Sequence, residues 1–490
     1  MLWYNVGIVA IKEDVSMNKH GYGRSVICVL LSLVLLSDAF FAVSCNGGDE
    51  EAVTESEQVT ELPMLEHSHT LNENGMVDVV VLNQDIKKGQ KISVNLLETI
   101  EVSPENLPNN VVSKRTLVID KYALRDFAKG DYIMSSWLVD SREMIPHEHL
   151  IKKPIESVEG DYVTVTDYLY PNTGEDLYLM LQELIDKNSG RTIYFPDGEY
   201  VISQTLMTSS RPSDSVSFSF SSGATLKAAQ YWESDGTNRA LISLGSYEKV
   251  NDISTPGSNF YVMGGVFDGS GIADGIAISA GRETLIKDVV IVNTRYGIHV
   301  KQGTNGNSSD TDIDDVTVIG NGEFDSVGVC FSGDDNTISN ARISNVRYGM
   351  ILSATTFVTS CTVENTMGAR GTAGFLIGGR SYMSDCVSID YDTAFDIGPG
   401  TVGYAKQCVA LWPSGEGEKH VAFTTGRLQF FIFGCRAEFV DADRENIFLF
   451  ALEGGNGGVV APVFDSSLVS EGDMTEFYLY DGTDVMDIQN

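Results

Sequence analysis

Arg295, His299, Lys301 and Arg347 are residues of the types that β-elimination on a uronate needs. Arginines neutralise the sugar carboxylate and acidify its C5 proton, and a lysine or histidine removes that proton. The same four also fit solvated side chains on an open face, their long stems covering apolar neighbours. Hydrolysis needs instead two carboxylates about 5 to 10 Å apart, and Asp268, Asp274, Asp334, Asp335, Asp396 and Glu453 could supply them. Some of these also suit turns: Asp334-Asp335-Asn336 is a common turn triplet, and Glu453 precedes a glycine-rich stretch. Asp396 differs, because it stands where the preceding repeats hold leucine and isoleucine. The expected catalytic residues are therefore Lys301, His299, Asp396 and Arg347, while Arg295, Asp334, Asp335, Arg427 and Glu453 are expected to bind substrate.

Only the stacking of distant segments brings such residues together, and the sequence contains a ladder for it. Apolar runs restart at Tyr296-Gly297-Ile298, Val327-Gly328-Val329, Tyr348-Gly349-Met350, Ala373-Gly374-Phe375, Phe395-Asp396-Ile397, Val421-Ala422-Phe423 and Ile447-Phe448-Leu449. A second run lies between restarts, as in Val289-Val290-Ile291-Val292-Asn293 and Cys361-Thr362-Val363-Glu364-Asn365. Each coil thus offers at least two short strands, and stacked coils bury one continuous core, which predicts an all-β parallel β-helix. Alternate side chains of a strand point outward. The restart strands then present one outward column of His299, Cys330, Ile351, Leu376, Asp396 and Thr424. A second runs Lys301, Ser332, Ser353, Gly378, Gly398 and, with a one-residue slip, Arg427. Coils stack about 4.8 Å apart, so acids one or two coils apart meet the spacing for hydrolysis. The apolar members Cys330, Ile351 and Leu376 imply that a loop, a partner or a second subunit covers part of this face, which leaves room for a homo-oligomer.

The second runs align Cys361, Cys386, Cys408 and Cys435 with Val289, Val316 and Ala341. These thiols read as small apolar core residues, since their spacing lacks the pairing of a zinc site. Asn293, Asn345, Asn365 and Asp390 close successive runs, where their side chains can bond the turn backbone. Upstream, Leu177, Met180, Leu181, Leu184 and Ile185 form a helical stripe that would cap the open end of the solenoid.

After that helix come Tyr194-Phe195-Pro196-Asp197-Gly198-Glu199-Tyr200, Gly223-Ala224-Thr225-Leu226-Lys227 and Gly265-Val266-Phe267-Asp268-Gly269. From about Val163 onward this order resembles the pectate-lyase-like superfamily of right-handed single-stranded parallel β-helices. The resemblance implies carbohydrate chemistry, by a polysaccharide lyase or a glycoside hydrolase. The Asn-Thr-Asp, Asp-Asp, Gly-His-Gly and Arg-Ile-Lys blocks of its polygalacturonase-type members are missing, as are calcium-dependent lyase clusters, so pectin is not the expected substrate.

At the front, residues 19–24 are basic, 25–44 are mostly apolar, and Ala42-Val43-Ser44-Cys45 follows. A basic head, a short apolar stretch and small residues make a secretion signal rather than a spanning helix. Its ending resembles a bacterial lipoprotein signal, in which Cys45 would be lipidated, with ordinary secretion as the rival reading. Met1 and Met17 are both candidate starts, the residues before Met17 adding Asp and Glu where a signal wants positive charge. Residues 46–76, opening Asn46-Gly47-Gly48-Asp49-Glu50-Glu51, read as an acidic flexible tether, which points to the cell surface or outer membrane.

Residues 77–145 form a smaller unit with an internal repeat. Asp85-Ile86-Lys87-Lys88-Gly89-Gln90-Lys91-Ile92 recurs as Asp126-Phe127-Ala128-Lys129-Gly130-Asp131-Tyr132-Ile133, which implies a compact pseudo-symmetric β domain with glycine at matching turns. This unit resembles the SAF or β-clip domain, which implies an accessory role in binding, positioning or assembly. The β-helix is expected over 155–490.

The 490 residues carry 33 basic against 68 acidic side chains, a net charge of −35, which argues against nucleic acid as a partner. No P-loop, Rossmann fingerprint, His-Glu-x-x-His or other metal signature occurs, so no cofactor and no metal are expected. The sequence therefore predicts an extracytoplasmic protein that binds and cleaves a polysaccharide. A non-catalytic glycan-binding or adhesin-like scaffold is the alternative, and a lipid anchor is its only expected membrane contact.

Overall fold

The computed structural model describes residues 70–490 apart from 105–106, 109–110, 209–214, 234–238, 246–256, 259, 280, 301–309, 354, 369–370, 399, 414–419, 426–429, 440–446, 453–457, 461–477 and 481–490. The signal peptide with Cys45, most of the tether, and Lys301, Arg427 and Glu453 lie outside the described residues.

Between Tyr162 and Tyr480 the described residues form a right-handed parallel β-helix with three strands per coil, where the sequence shows at least two. Among the described residues sheet A has twelve strands, sheet B ten and sheet C eleven, and each strand pairs in parallel with its counterpart one coil on. A full coil reads Thr311–Asp314 in sheet A, Thr317–Gly320 in sheet B and Val327–Phe331 in sheet C. The predicted restarts are sheet C and the predicted second runs are sheet B.

Short polar residues turn the corners because they tolerate left-handed backbone better than other L-residues. Between sheets A and B, Asp288, Asp315, Asn340, Ser360, Asp385 and Gln407 all have φ between 52° and 56°. Each N–H in this column from Asp288 to Asp385 bonds a carbonyl of the next coil, as Asp315 does to Ser339 at 3.2 Å. Asn293, Asn345 and Asp390 hold the same conformation between sheets B and C. There Asn345 Nδ2 donates to the Gly320 carbonyl and Asn365 Nδ2 to that of Asp390, so the asparagine column is structural, as expected.

Packing explains the glycine in the sheet C restarts. A Cβ on Gly297 would sit 2.5 Å from both the Gly328 carbonyl oxygen and a Val318 methyl, and Gly275, Gly328 and Gly349 are crowded in the same way by Ile291, Ile343 and Val363. The facing sheet B column then shrinks to Ser388, Ala410 and Ala437, and sheet C carries Ala394 and Ala422 from there on. Volume lost on one wall is regained on the other, as dense interiors require.

The four aligned cysteines are free thiols with at most 3% exposure, in line with Val289, Val316 and Ala341. Phe375, Phe395 and Phe423 stack at 5.0 and 4.8 Å between ring centroids in consecutive coils. The helix Tyr178–Lys187 buries the predicted stripe. Its Gln182 amide exchanges two 2.9 Å hydrogen bonds with the Met207 backbone, thereby covering the exposed edge of sheet C.

Val77–Leu82 pairs with Leu97–Val102, and Tyr122–Ala123 with Leu138–Val139, to build the small domain. Its internal repeat closes reciprocally. Lys88 N donates to Asp126 Oδ1 and Lys129 N to Asp85 Oδ1, both at 2.8 Å, while Ile86 and Phe127 exchange backbone bonds. The pseudo-symmetry ends at the turns. Gly89 is buried, and a Cβ there would meet the Tyr231 hydroxyl of the β-helix at 3.1 Å, whereas Gly130 is exposed with open space around it. Lys88 Nζ pairs with Glu175 at 2.9 Å, and beside it the buried Arg142 bonds Asp176 at 3.1 Å and the Ser203 hydroxyl, with Glu233 2.8 Å away.

Candidate functional site

The corner between sheets B and C and the adjoining face of sheet C hold four of the expected residues, Arg295, His299, Arg347 and Asp396. Register follows the predicted outward column: His299 pairs with Cys330, then Ile351, Leu376, Asp396 and Thr424. The column is half-buried, and Cys330 retains only 7% exposure, so burial pushes its thiol pKa up.

Two clusters occupy the corner, two coils apart. In the first, the Arg295 guanidinium lies 4.8 Å from the Tyr296 ring, which stacks on the His299 imidazole at 5.1 Å and 19°. Arg295 reaches Asp274 at 3.4 Å and Asp325 at 3.3 Å. Burial works against its charge, yet these two carboxylates raise its pKa above the ordinary arginine value. Burial also raises the Tyr296 phenol, so the hydroxyl keeps its proton at neutral pH.

In the second cluster, Arg347 Nε donates to the Gly371 carbonyl at 3.1 Å and Nη1 to that of Phe324 at 3.3 Å. Its Cζ lies 3.4 Å from the centroid of the Phe324 ring and 4.9 Å from that of Tyr348. Among the described residues no carboxylate pairs with it, and Phe324 is 62% exposed. Tyr296 and Tyr348 occupy one register position, with Val327 between them. The two Arg–Tyr pairs therefore repeat about 10 Å apart along the coil axis, about the length of a disaccharide.

Asp396 does not join either cluster. It stands four coils from His299, about 19 Å away, and its Oδ1 accepts a 2.6 Å bond from the Thr424 hydroxyl. The two cannot serve one bond-breaking step. Asp335 is the left-handed corner residue between sheets C and A, with φ 56°, and the Asp334 carbonyl accepts the Asp310 N–H. Asp268 likewise holds its turn, accepting Ser270 N and Asn293 Nδ2. Sequence reasoning missed Tyr296, Phe324, Asp325 and Tyr348. The repeated Arg-Tyr-Gly-apolar tetrad at Arg295 and Arg347 was the available signal for the two tyrosines, while the loop residues had none.

Residues 77–139 match the SAF domain family. Comparison of the sequence with curated proteins finds no match. Among solved structures, ORF18 of Geobacillus virus E2 is similar at 13% identity and TM-score 0.43, over 62% of this chain and 62% of that one. The surface adhesin PfbA of Streptococcus pneumoniae is similar at 11% identity and TM-score 0.45, over 62% of this chain and 90% of that one. An alginate lyase from Paenibacillus sp. is similar at 14% identity and TM-score 0.39, over 57% of this chain and 93% of that one.

Proposed function

We propose that this protein binds a polysaccharide carrying one uronate per disaccharide repeat along the corner beside sheet C, and cleaves it by β-elimination. The observation that supports this reading is Arg347, a cation held by two carbonyls and an exposed ring, repeated one disaccharide away by the Arg295–Tyr296–His299 group. His299 takes the C5 proton, the C4–O bond breaks, a C4=C5 double bond forms, and the protonated Tyr296 gives its proton to the leaving oxygen. Lys301, six residues beyond Arg295 in sequence, stabilises the carboxylate of the reacting sugar, Arg295, paired with Asp274 and Asp325, packs against Tyr296 beside the sugar, and Arg347 binds the next uronate. The SAF domain is an accessory, and Cys45 anchors the protein by a lipid at the cell surface or outer membrane.

The test is incubation of the secreted chain with uronate-containing glycans, following absorbance near 235 nm together with reducing ends. Elimination gives both signals, and His299→Ala abolishes them while Arg347→Ala raises KM about tenfold or more. Reducing ends without absorbance would mean hydrolysis and refute the assigned chemistry. A second reading, a glycan-binding scaffold without catalysis, draws on the apolar Cys330, Ile351 and Leu376 between His299 and Asp396. Binding with neither signal would establish it.

A further inference from the structure

Sheet A carries a surface that the corner site does not use. Its outward register position runs Thr337, Phe357, Tyr382 and Tyr404 in consecutive coils. Phe357 and Tyr382 stack with centroids 5.1 Å apart at 18°, and Tyr382 and Tyr404 lie 5.4 Å apart at 59°. Rings in contact at about 3.5 Å between planes can have centroids 5.1 Å apart only if they are displaced sideways. They therefore overlap like shingles and leave part of each face open. Phe357 is 45% exposed and Tyr404 38%, so an apolar ridge of aromatic surface meets solvent.

The neighbouring outward column is Ser339, Thr359 and Ser384, followed by Lys406. Thr359 and Ser384 place their hydroxyl oxygens 3.4 Å apart. Charge changes along the sheet at this point. The preceding strand, Thr311–Asp314, exposes Asp312 and half-exposes Asp314, whereas the four strands Asn336–Ser339, Thr356–Thr359, Arg380–Ser384 and Val402–Lys406 contain no carboxylate.

We infer that this strip of sheet A is a second glycan-binding site, taking an uncharged polysaccharide that lies along the coil axis. The chemistry of the strip matches that ligand: apolar sugar faces rest on the shingled rings, and ring hydroxyls bond the Ser and Thr column. One coil advances about 4.8 Å, close to the rise of one pyranose in an extended chain, so successive sugars meet equivalent residues. The aromatic column itself is uncharged, and the cations Arg380 and Lys406 stand in the outward columns on either side of it.

The test is native affinity electrophoresis of the intact chain in gels containing, separately, mixed-linkage β-glucan, xyloglucan, galactomannan or dextran. At least one of these should retard the wild type. Tyr382→Ala and Phe357→Ala should each weaken that retardation tenfold or more, with thermal melting unchanged, while Tyr382→Phe retains it. Arg347→Ala should retain it too, so the corner site and the strip are scored independently. The inference is overturned if none of the four glycans retards the wild type, or if both alanine variants bind as the wild type does. It is equally overturned if sedimentation shows a wild-type oligomer that Tyr382→Ala dissociates, since the strip would then be an interface between copies.

Discussion

Arg142→Met tests the junction between the SAF domain and the β-helix. Arg142 is 5% exposed and serves Asp176, which is 12% exposed on its side chain, and Glu233. Breaking a buried pair by removing one partner costs about 3 to 5 kcal/mol, because the remaining charge is left uncompensated. Asp176 keeps its bonds from Tyr178 N, Ser203 N and the Ser203 hydroxyl at 3.0, 3.0 and 2.6 Å, which places the expected loss near the lower end. About 3 kcal/mol is about two orders of magnitude in an equilibrium constant. Native-state hydrogen exchange at the Tyr178 and Ser203 amides reads this directly, since both bond Asp176 and open with it. Burial already raises the Asp176 pKa against the opposing pull of Arg142, and the variant raises it further. A folded pKa above the unfolded one means the folded state holds its proton more tightly. The cost of ionising the buried carboxyl is then complete above the folded pKa, shrinks as pH falls through it and is gone below the unfolded pKa. Protection at these amides should therefore fall about a hundredfold at pH 7.5 and by much less at pH 5. A loss under about tenfold, or an equal loss at both pH values, refutes the reasoning.

Gly349→Ala should destabilise the coil by about 1 to 3 kcal/mol, because its Cβ meets Val363 at 2.7 Å and the Gly374 carbonyl. Adding Val363→Ala should recover part of that, and a double-mutant cycle by denaturant unfolding showing additivity would contradict the volume compensation. Lys287, Ser339 and Asn340 lower the Asp314 pKa to about 2. Its stabilising contribution is thus complete above the unfolded carboxyl pKa and lost as pH falls through about 2, and a carboxyl NMR titration midpoint near 4 would contradict it. Lys88→Glu should speed exchange at the junction amides, while Lys129→Glu at the matching turn should not, since only the Lys88 turn docks; equal effects would count against the broken symmetry.

The sheet C strands from Tyr296–Val300 to Thr393–Ile397 were legible because each places at least two apolar residues inward, and the sheet B strands because each short run follows a buried Val, Ala or Cys, from Val289 to Cys408. Sheet A was not. Thr311–Asp314, Asn336–Ser339 and Thr356–Thr359 each bury one aliphatic residue, Ile313, Ile338 or Val358, beside a Thr or Asn that is also buried. An inward polar residue removes the alternation that hydropathy detects, so the third wall reads as loop. The outward column of sheet C followed directly from register. Charge compensation did not, since the Asp274 that neutralises Arg295 comes from the preceding coil and Asp325 from the loop of the following one. Spacing along the chain carries no information on how far a corner loop reaches.

The same register logic decides which residues can act together. Residues in one outward column are separated by whole coils, so a column is a list of equivalent positions and not a centre for one bond-breaking step. His299 and Asp396 share a column and are about 19 Å apart, whereas Arg347 and Phe324 share no column and touch. Chemistry on a solenoid therefore gathers at corners, where loops of unequal length bring residues of two coils into contact. The flat faces suit repetition instead, because each coil adds one more copy of the same geometry. A polymer with a repeat near one coil can use a face, while a reaction at a single bond needs a corner. The positions of the Arg–Tyr pairs and of the aromatic strip follow that division.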